Sequence, residues 1–231
     1  MATVPPAHLT PRKRPRQARA TVTVDAIFEA TIQVLLADGP NRLTTTRVAQ
    51  RAGVSVGTMY QYFPHKQALL YALNERYLEI VAEKVERACE AQHGASIGQM
   101  VDALVGAYWE AKTVRSDVTR ALYRSAVELD TESLIEAFGR RVDAATAAML
   151  ASAADADFAD PSVVNTTLLT AIFGAVRSVF ERNLPSALGG EVRGQLVVMC
   201  RSYLEAVKKE PERAAPGGPA TANRTVIDDA G

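Results

Sequence analysis

Apolar residues recur three and four positions apart along most of the chain, which is the spacing of one buried face of an α-helix. The first run starts near Val24 and ends at Asp38-Gly39-Pro40, where glycine and proline terminate a helix. No stretch alternates between apolar and polar residues as a half-buried strand would. The pattern predicts an all-α protein with later helices at about 67–92, 97–113, 117–129, 132–153, 162–183 and 190–209.

Both ends of the chain lack this periodicity. Residues 1–20 contain four prolines and five positive charges between Arg12 and Arg19, and they predict a disordered basic arm. Residues 211–231 are rich in proline and glycine and predict a disordered tail. Between them we expect a small helical domain at 21–66 and a larger one at 67–210.

The segment after the first helix carries signals for two short helices joined by a tight turn. Thr44 can cap the first helix, and Leu43 and Val48 can pack together across its start. Gly53 can adopt the left-handed conformation that ends a helix, and Ser55 can cap the next one. Two helices joined in this way form a helix-turn-helix, whose second helix enters the DNA major groove. An ordinary helical hairpin would use the same caps.

Small and polar residues follow Ser55 at the start of the second helix. Gly57 is a poor helix former, so its position suggests that something must approach closely from outside. Tyr60 and Tyr62 can donate hydrogen bonds to phosphates, and Lys66 adds a positive charge. The candidate DNA contacts are Thr44, Thr45, Arg47, Ser55, Val56, Gly57, Thr58, Tyr60, Gln61, Tyr62 and Lys66.

The formal net charge of zero hides an uneven distribution. Residues 1–66 hold nine Lys and Arg against three Asp and Glu, whereas the rest of the chain holds seventeen against twenty-three. A basic N-terminal part joined to an acidic body suits a protein that binds a polyanion and has a second function. A flexible basic tail on an ordinary domain would give the same charge counts.

The whole segment resembles the DNA-binding domain of the tetracycline-repressor (TetR) family over about residues 22–75. Val56 departs from the resemblance, because the family often has a polar or charged residue there, and Gln61 and His65 lie at variable positions. These departures leave the base preference open. The residues that carry the resemblance are Ala49, Ala52-Gly53-Val54-Ser55, Gly57-Thr58, Tyr60, Tyr62-Phe63 and Lys66.

The resemblance implies a homodimeric transcriptional repressor that binds a palindromic operator in double-stranded DNA. In such a protein the first three helices bind DNA, and the fourth connects them to a larger domain for dimerisation and ligand binding. A small-molecule effector would release the DNA by changing the spacing of the two recognition helices. A ligand-dependent activator and a sequence-nonspecific or architectural DNA-binding protein are the alternatives.

In the larger domain, the apolar helices at about 162–183 and 190–209 are the candidate dimer interface, although they could instead pack within one subunit. Arg177 interrupts the first of them and should have a partner, either a salt bridge or an anionic ligand. Aromatic residues on the preceding helices occupy the region of the family's ligand cavity, and they could equally be plain core. The candidate ligand contacts are Met100, Tyr108, Trp109, Tyr123, Phe138 and Arg177.

Other function classes find little support in the sequence. The three histidines lie apart, without a nucleophile or paired carboxylates around them, so an enzyme is not expected. Cys89 and Cys200 are too few for a disulfide framework, and we expect reduced thiols and no metal or other cofactor. No run of eighteen apolar residues is present, so we expect no membrane partner and a cytoplasmic location.

Overall fold

A computed structural model describes residues 18–126 and 129–209, together with Pro6 and Thr10. Within this part of the chain the regular elements are helices, and a short 3-10 helix, Pro40–Arg42, follows the first of them. The predicted tail and nearly all of the predicted arm lie outside the described residues. The helices are α1 (Ala18–Asp38), α2 (Thr45–Ala52), α3 (Val56–Tyr62), α4 (Lys66–Ala91), α5 (Ile97–Thr113), α6 (Ser116–Ala126), α7 (Glu132–Ala151), α8 (Pro161–Glu181) and α9 (Ser186–Val207).

The all-α prediction is confirmed, and the two largest differences lie at helix starts. α1 begins at Ala18, so its first turn includes residues 18–20 that we had assigned to the arm. These residues have high helix propensity but no apolar face, and a search for periodicity therefore misses them. α9 begins at Ser186, four residues before the predicted start at 190.

The early start of α9 places Gly189 inside the helix rather than in a turn. A Cβ atom at Gly189 would lie 3.6 Å from Val179 Cγ1 and 3.8 Å from an atom of the Trp109 ring. These distances are ordinary van der Waals contacts, so a side-chain carbon would fit there, and Gly189 is a buried residue inside an unbroken helix.

Two apolar cores divide the protein. The N-terminal core joins α1, α2, α3 and the beginning of α4, and the body core joins the rest of α4 with α5, α7, α8 and α9. α6 belongs to both halves, because Val118 and Leu122 pack in the N-terminal core while Tyr123 packs against the body core. A salt bridge of 3.2 Å between Arg115 and Glu29 also joins the start of α6 to α1.

Most apolar residues of α8 and α9 pack inside the subunit. Val164, Leu168, Ile172 and Val176 of α8 are buried in the body core, as are Leu196, Cys200 and Leu204 of α9. The alternative that these helices pack within one subunit is therefore correct for one face of each helix. Another part of the surface of α8 and α9 is exposed and includes Val163, Leu188, Val198 and Met199.

Among the described residues, two helices are long and apolar enough to cross a membrane by length and composition alone. The count of uninterrupted apolar residues in the sequence did not indicate them. They are Ala20–Asp38 within α1 and Pro161–Glu181, α8, each with a mean hydropathy of 1.5. Both place residues in the two apolar cores, as core helices do. Their composition is therefore weak evidence for a membrane span.

Candidate nucleic-acid interface and ligand cavity

Local hydrogen bonds fix the turn between α2 and α3. The Thr44 side chain accepts a bond of 3.2 Å from the Arg47 amide at the start of α2. At the other end Gly53 is left-handed, with φ of 68°. The Gly53 amide donates to the Gln50 carbonyl at 3.3 Å and the Val54 amide donates to the Ala49 carbonyl at 3.0 Å, which together form a Schellman motif. These bonds end α2 and direct the chain into α3.

Helix α3 presents an exposed face opposite a buried one. The Ser55 hydroxyl caps the helix by accepting a bond of 2.9 Å from the Thr58 amide. Met59 is buried in the N-terminal core, whereas Val56 is 39% exposed and Tyr60 is 42% exposed. Gly57 and Gln61 are also exposed. The open face of α3 therefore consists of Val56, Gly57, Tyr60 and Gln61, which we call the α3 face.

Besides the capping residues, Thr45, Arg47 and Tyr62 are predicted DNA contacts that are engaged within the protein. Thr45 is buried, and its hydroxyl donates to the Tyr60 hydroxyl oxygen at 3.3 Å. Tyr62 is only 8% exposed and packs in the N-terminal core beside Phe63. Arg47 forms a 2.7 Å salt bridge with Asp38. The Tyr62 ring therefore belongs to the core, and its contact with DNA stays a prediction.

Lys66 is the first residue of α4 and lies just beyond α3. Its helix is capped by His65, whose Nδ1 accepts a bond of 3.1 Å from the Ala68 amide. The sequence analysis identified His65 only as a variable position of the family. Histidine is not among the usual capping residues, so sequence preferences gave no signal for this role.

A cavity of about 380 Å³, which we call the lysine cavity, lies in the body between α4, α6, α7 and α8. This volume falls near the lower end of the range for small-molecule sites, about 300–1,000 Å³. The cavity has an apolar wall that includes Tyr77, Leu134 and Phe180, and Lys112 also lines it. Arg120, Arg124 and Arg177 are its further cations, and Glu181 is its carboxylate within the described part of the chain.

Lys112 lies among three aromatic rings. Its ammonium nitrogen is 4.7 Å from the ring centre of Tyr77, 5.3 Å from that of Tyr123 and 5.7 Å from that of Tyr108. The side chain is 2% exposed, and burial lowers the pKa of Lys112 to about 7. Burial also raises the pKa of each of the three tyrosines.

Hydrogen bonds connect this lysine site to the helices around it. The Thr119 hydroxyl of α6 donates to the Lys112 carbonyl at 2.7 Å and accepts from the Tyr77 hydroxyl of α4. Leu122, also of α6, lines the lysine cavity and packs in the N-terminal core. The cavity wall is therefore built partly from residues that also support the N-terminal helices.

Two sequence families match successive parts of the chain. Residues 27–73 match the family described as bacterial regulatory proteins, tetR family. Residues 96–204 match the tetracyclin repressor-like C-terminal domain, and the two matches together span more than half of the chain. The chain belongs to the tetR family. This family comprises regulators and not enzymes, in agreement with the expectation from the histidines.

The tetR-family chain also resembles individual proteins. It is 33% identical over 107 residues to the HTH-type transcriptional repressor KstR of Mycolicibacterium smegmatis, covering 46% of this chain and 52% of KstR. It is 32% identical over 97 residues to the nucleoid occlusion factor SlmA of Glaesserella parasuis, covering 42% of this chain and 47% of SlmA. The chain therefore spans about half the length of the curated relatives that it matches.

Solved structures of low sequence identity share the tetR-family fold. A complex of SmeT with triclosan matches with a TM-score of 0.61 and 21% identity, covering 87% of this chain and 99% of that chain. A TetR transcription regulator from Haloarcula marismortui matches with a TM-score of 0.62 and 22% identity, covering 82% and 100%. At these identities the matches show a common fold.

The predicted ligand residues fall in three different places. Tyr123 and Arg177 line the lysine cavity, and Arg177 is exposed and paired with Glu181 at 2.6 Å. Trp109 lines a separate surface pocket beside Gly189. The remaining three are buried in the body core, where Met100 and Phe138 do not line the lysine cavity and Tyr108 lies behind Lys112.

The sequence analysis missed Lys112 and Tyr77. Lys112 is four residues after Tyr108 and eight after Leu104, and this spacing places it on the buried face of α5. A single lysine on an otherwise apolar helical face was the available signal. Tyr77 gave no comparable signal, because an aromatic residue at helical spacing is the ordinary pattern of a core.

Proposed function

We propose that this protein is a cytoplasmic, homodimeric transcriptional repressor that binds a palindromic operator through α3 and releases it when a small molecule binds. The observation that supports DNA binding most directly is the open α3 face, held by capped ends and a Schellman turn. Gly57 and Val56 leave room for base edges on this face, and Gln61 can hydrogen-bond an adenine.

Groups around α3 are suited to phosphate contacts. Because Thr45 donates to the Tyr60 oxygen, the Tyr60 hydroxyl keeps its own proton for a phosphate oxygen. Lys66 supplies a positive charge at the adjacent helix start. We retain Thr44, Arg47, Ser55 and Thr58 as proposed contacts near the backbone or base edges, and we leave out Thr45 and Tyr62 because they are buried.

The dimer interface in this proposal is the exposed surface of α8 and α9. Val163, Val198 and Met199 are large apolar residues that this surface leaves in solvent. Gly190 and Gly194 are exposed on α9, and their lack of side chains allows a second copy to approach closely. The proposal requires that a two-fold dimer formed through this surface place two copies of α3 on successive major grooves.

The proposed ligand response passes through α4 and α6. Tyr77 of α4 and Leu122 of α6 line the lysine cavity, and Leu122 also packs in the N-terminal core. A ligand that favours a different position of either helix would shift the N-terminal helices and change the distance between the two α3 helices. Half-sites lie about 34–36 Å apart, so a small tilt is enough to prevent simultaneous binding.

DNA selection from a random pool with purified protein tests the operator proposal. We expect an enriched palindrome, bound with an affinity that falls as salt rises. Gln61→Ala should weaken binding and relax the preference at one base pair by about 1–3 kcal/mol. Gln50→Ala, on the exposed surface of α2, is the matched control and should leave the DNA affinity and the base preference unchanged. Binding to all sequences without enrichment would contradict the proposal.

Sedimentation of surface variants tests the dimer. Val198→Asp on α9 should shift the protein towards the monomer, because it places a charge in the proposed interface. Val22→Asp on α1 changes a valine that is more exposed than Val198 and lies outside that interface, and it is the control. If both variants sediment as the wild type does, α9 is not the interface.

A second candidate function is a DNA-binding role other than transcription, which the match to SlmA supports. SlmA is named a nucleoid occlusion factor, and its match covers a similar share of the chain to the KstR match. A promoter-reporter assay with the selected operator separates the two functions. Repression of the reporter supports the transcriptional repressor, activation would favour the ligand-dependent activator, and no effect would favour the second candidate function.

A further inference from the structure

Lys112 is a buried cation without a countercharge among the described residues. Its ammonium group contacts the three tyrosine rings, and none of the described carboxylates forms an ion pair with it. Glu181, the described carboxylate of the cavity, is already paired with Arg177 at 2.6 Å. Burying an unpaired charge is unfavourable, and buried charges in proteins are normally paired.

The aromatic rings compensate only part of this cost. A cation over the face of a tyrosine is stabilised by the electrons of the ring when it lies within about 6 Å, and Lys112 has three such contacts. A cation–π contact does not replace the hydrogen bonds that an ammonium group makes in water. The site therefore has unused capacity to bind an anion.

We infer that the lysine cavity binds an effector with a carboxylate head and an apolar body, and that Lys112 binds the carboxylate. This inference rests on the proposed function, since it names the chemical class of the effector. The apolar body would contact the wall formed by residues such as Leu134 and Phe180. The volume of about 380 Å³ limits the body to a small aliphatic or aromatic group.

The remaining charges of the cavity favour the same class. Arg120 and Arg124 add positive charge from α6, and the Arg120 guanidinium is held by the Asn183 side chain. With Arg177 and Lys112 there are four cations to one carboxylate among the described lining residues. An amine would meet this positive field, and the one described carboxylate of the lining is already paired with Arg177, so a carboxylate is favoured over an ammonium group.

Protonation of Lys112 should accompany binding. The ionisable groups that face it are Tyr77 from α4, Tyr108 from α5, Tyr123, Arg120 and Arg124 from α6, and Arg177 and Glu181 from α8. Burial raises the pKa of all three tyrosines, so they stay neutral near pH 7. Because the pKa of Lys112 is about 7, a carboxylate should bind about tenfold more weakly at pH 8 than at pH 6.

Titration calorimetry with matched probes tests this inference. The acids are octanoate, decanoate and 2-naphthoate, and the neutral partners are octanol, decanol and 2-naphthalenemethanol. At least one acid should bind the wild type more tightly than its alcohol and show the pH dependence above. In Lys112→Met the acid should bind about tenfold more weakly or worse, while the alcohol is little affected. Lys208→Met, at a half-exposed lysine outside the cavity that is paired with Glu205, is the control.

Several results would overturn the inference. They are equal binding of acids and alcohols, no binding by any acid, or unchanged acid binding in Lys112→Met. The comparison of acid with alcohol in the wild type remains decisive even if Lys112→Met fails to fold.

DNA measurements separate this inference from the proposed function. Operator selection needs no effector, so it can succeed when every acid fails, in which case only the ligand class is wrong. Acids that bind without weakening operator binding would support the ligand class and contradict ligand-induced release.

Discussion

Lys112→Met should reduce the dependence of protein stability on pH between pH 7 and 9. The side chain is 2% exposed, and burial lowers the pKa of Lys112 from 10.5 to about 7. In the unfolded chain the lysine regains its ordinary pKa, so the unfolded state binds the proton more tightly than the folded state. Protonation therefore favours unfolding, and this penalty decreases as the pH rises from 7 towards 10.5.

The linkage relation gives the size of the effect. With pKa values of about 7 folded and 10.5 unfolded, the Lys112 contribution to the free energy of unfolding rises by about 2 kcal/mol between pH 7 and 9. Below pH 7 the contribution becomes flat, because both states are then protonated. Met has a similar length and no charge, so the variant should lack this rise and be at least as stable at pH 7.

Urea unfolding followed by circular dichroism measures the effect. Wild type and Lys112→Met are unfolded at half-unit pH steps and one fixed protein concentration, since the proposed dimer would make stability depend on concentration. Subtracting the two curves removes the titration of every group other than Lys112. The control Lys208→Met should follow the wild type. A constant difference between wild type and Lys112→Met across this range would show that Lys112 does not titrate as a buried cation.

Three further substitutions and one chemical reaction test the fold. Gly53→Ala should destabilise the protein by about 1–2 kcal/mol because φ is 68° there, whereas Gly139→Ala inside α7 should stabilise it by about 0.8–1 kcal/mol in thermal unfolding. Leu122→Ala should cost about 2–5 kcal/mol in urea unfolding, because its buried side chain leaves a cavity in the N-terminal core. Burial raises the pKa of Cys89 to about 12 and of Cys200 to about 11, so a disulfide reagent at pH 8 should modify neither thiol before urea unfolds the protein.

The sequence predicted the helices well because their signals are local. Caps at Thr44 and Ser55 and the left-handed Gly53 are one-residue features with strong preferences, and all three have the predicted roles. The starts of α1 and α9 were less predictable. At Ala18 helix propensity continues without an apolar pattern, and Gly189 and Gly190 lie inside α9 although glycine has low helix propensity.

The ligand cavity was less predictable because it depends on contacts between distant segments. Met100 and Tyr108 occupy the same helical face, and spacing cannot distinguish a residue that fills the core from one beside a cavity. Lys112 meets Tyr77 and Tyr123 only when α4, α5 and α6 have packed together. The sequence pattern of one helix contains no information about these contacts between helices.

The shared position of α6 limits how this protein can be recombined with its relatives. A chimera joined within α4 would keep α1 from this chain but take α6 from the donor protein. The donor's residues at the positions of Val118 and Leu122 would then pack against an N-terminal core from a different protein. The salt bridge between Arg115 and Glu29 would also be lost. An engineered sensor that joins these DNA-binding helices to a new body should therefore also keep the residues of α6 that pack in the N-terminal core, Val118 and Leu122.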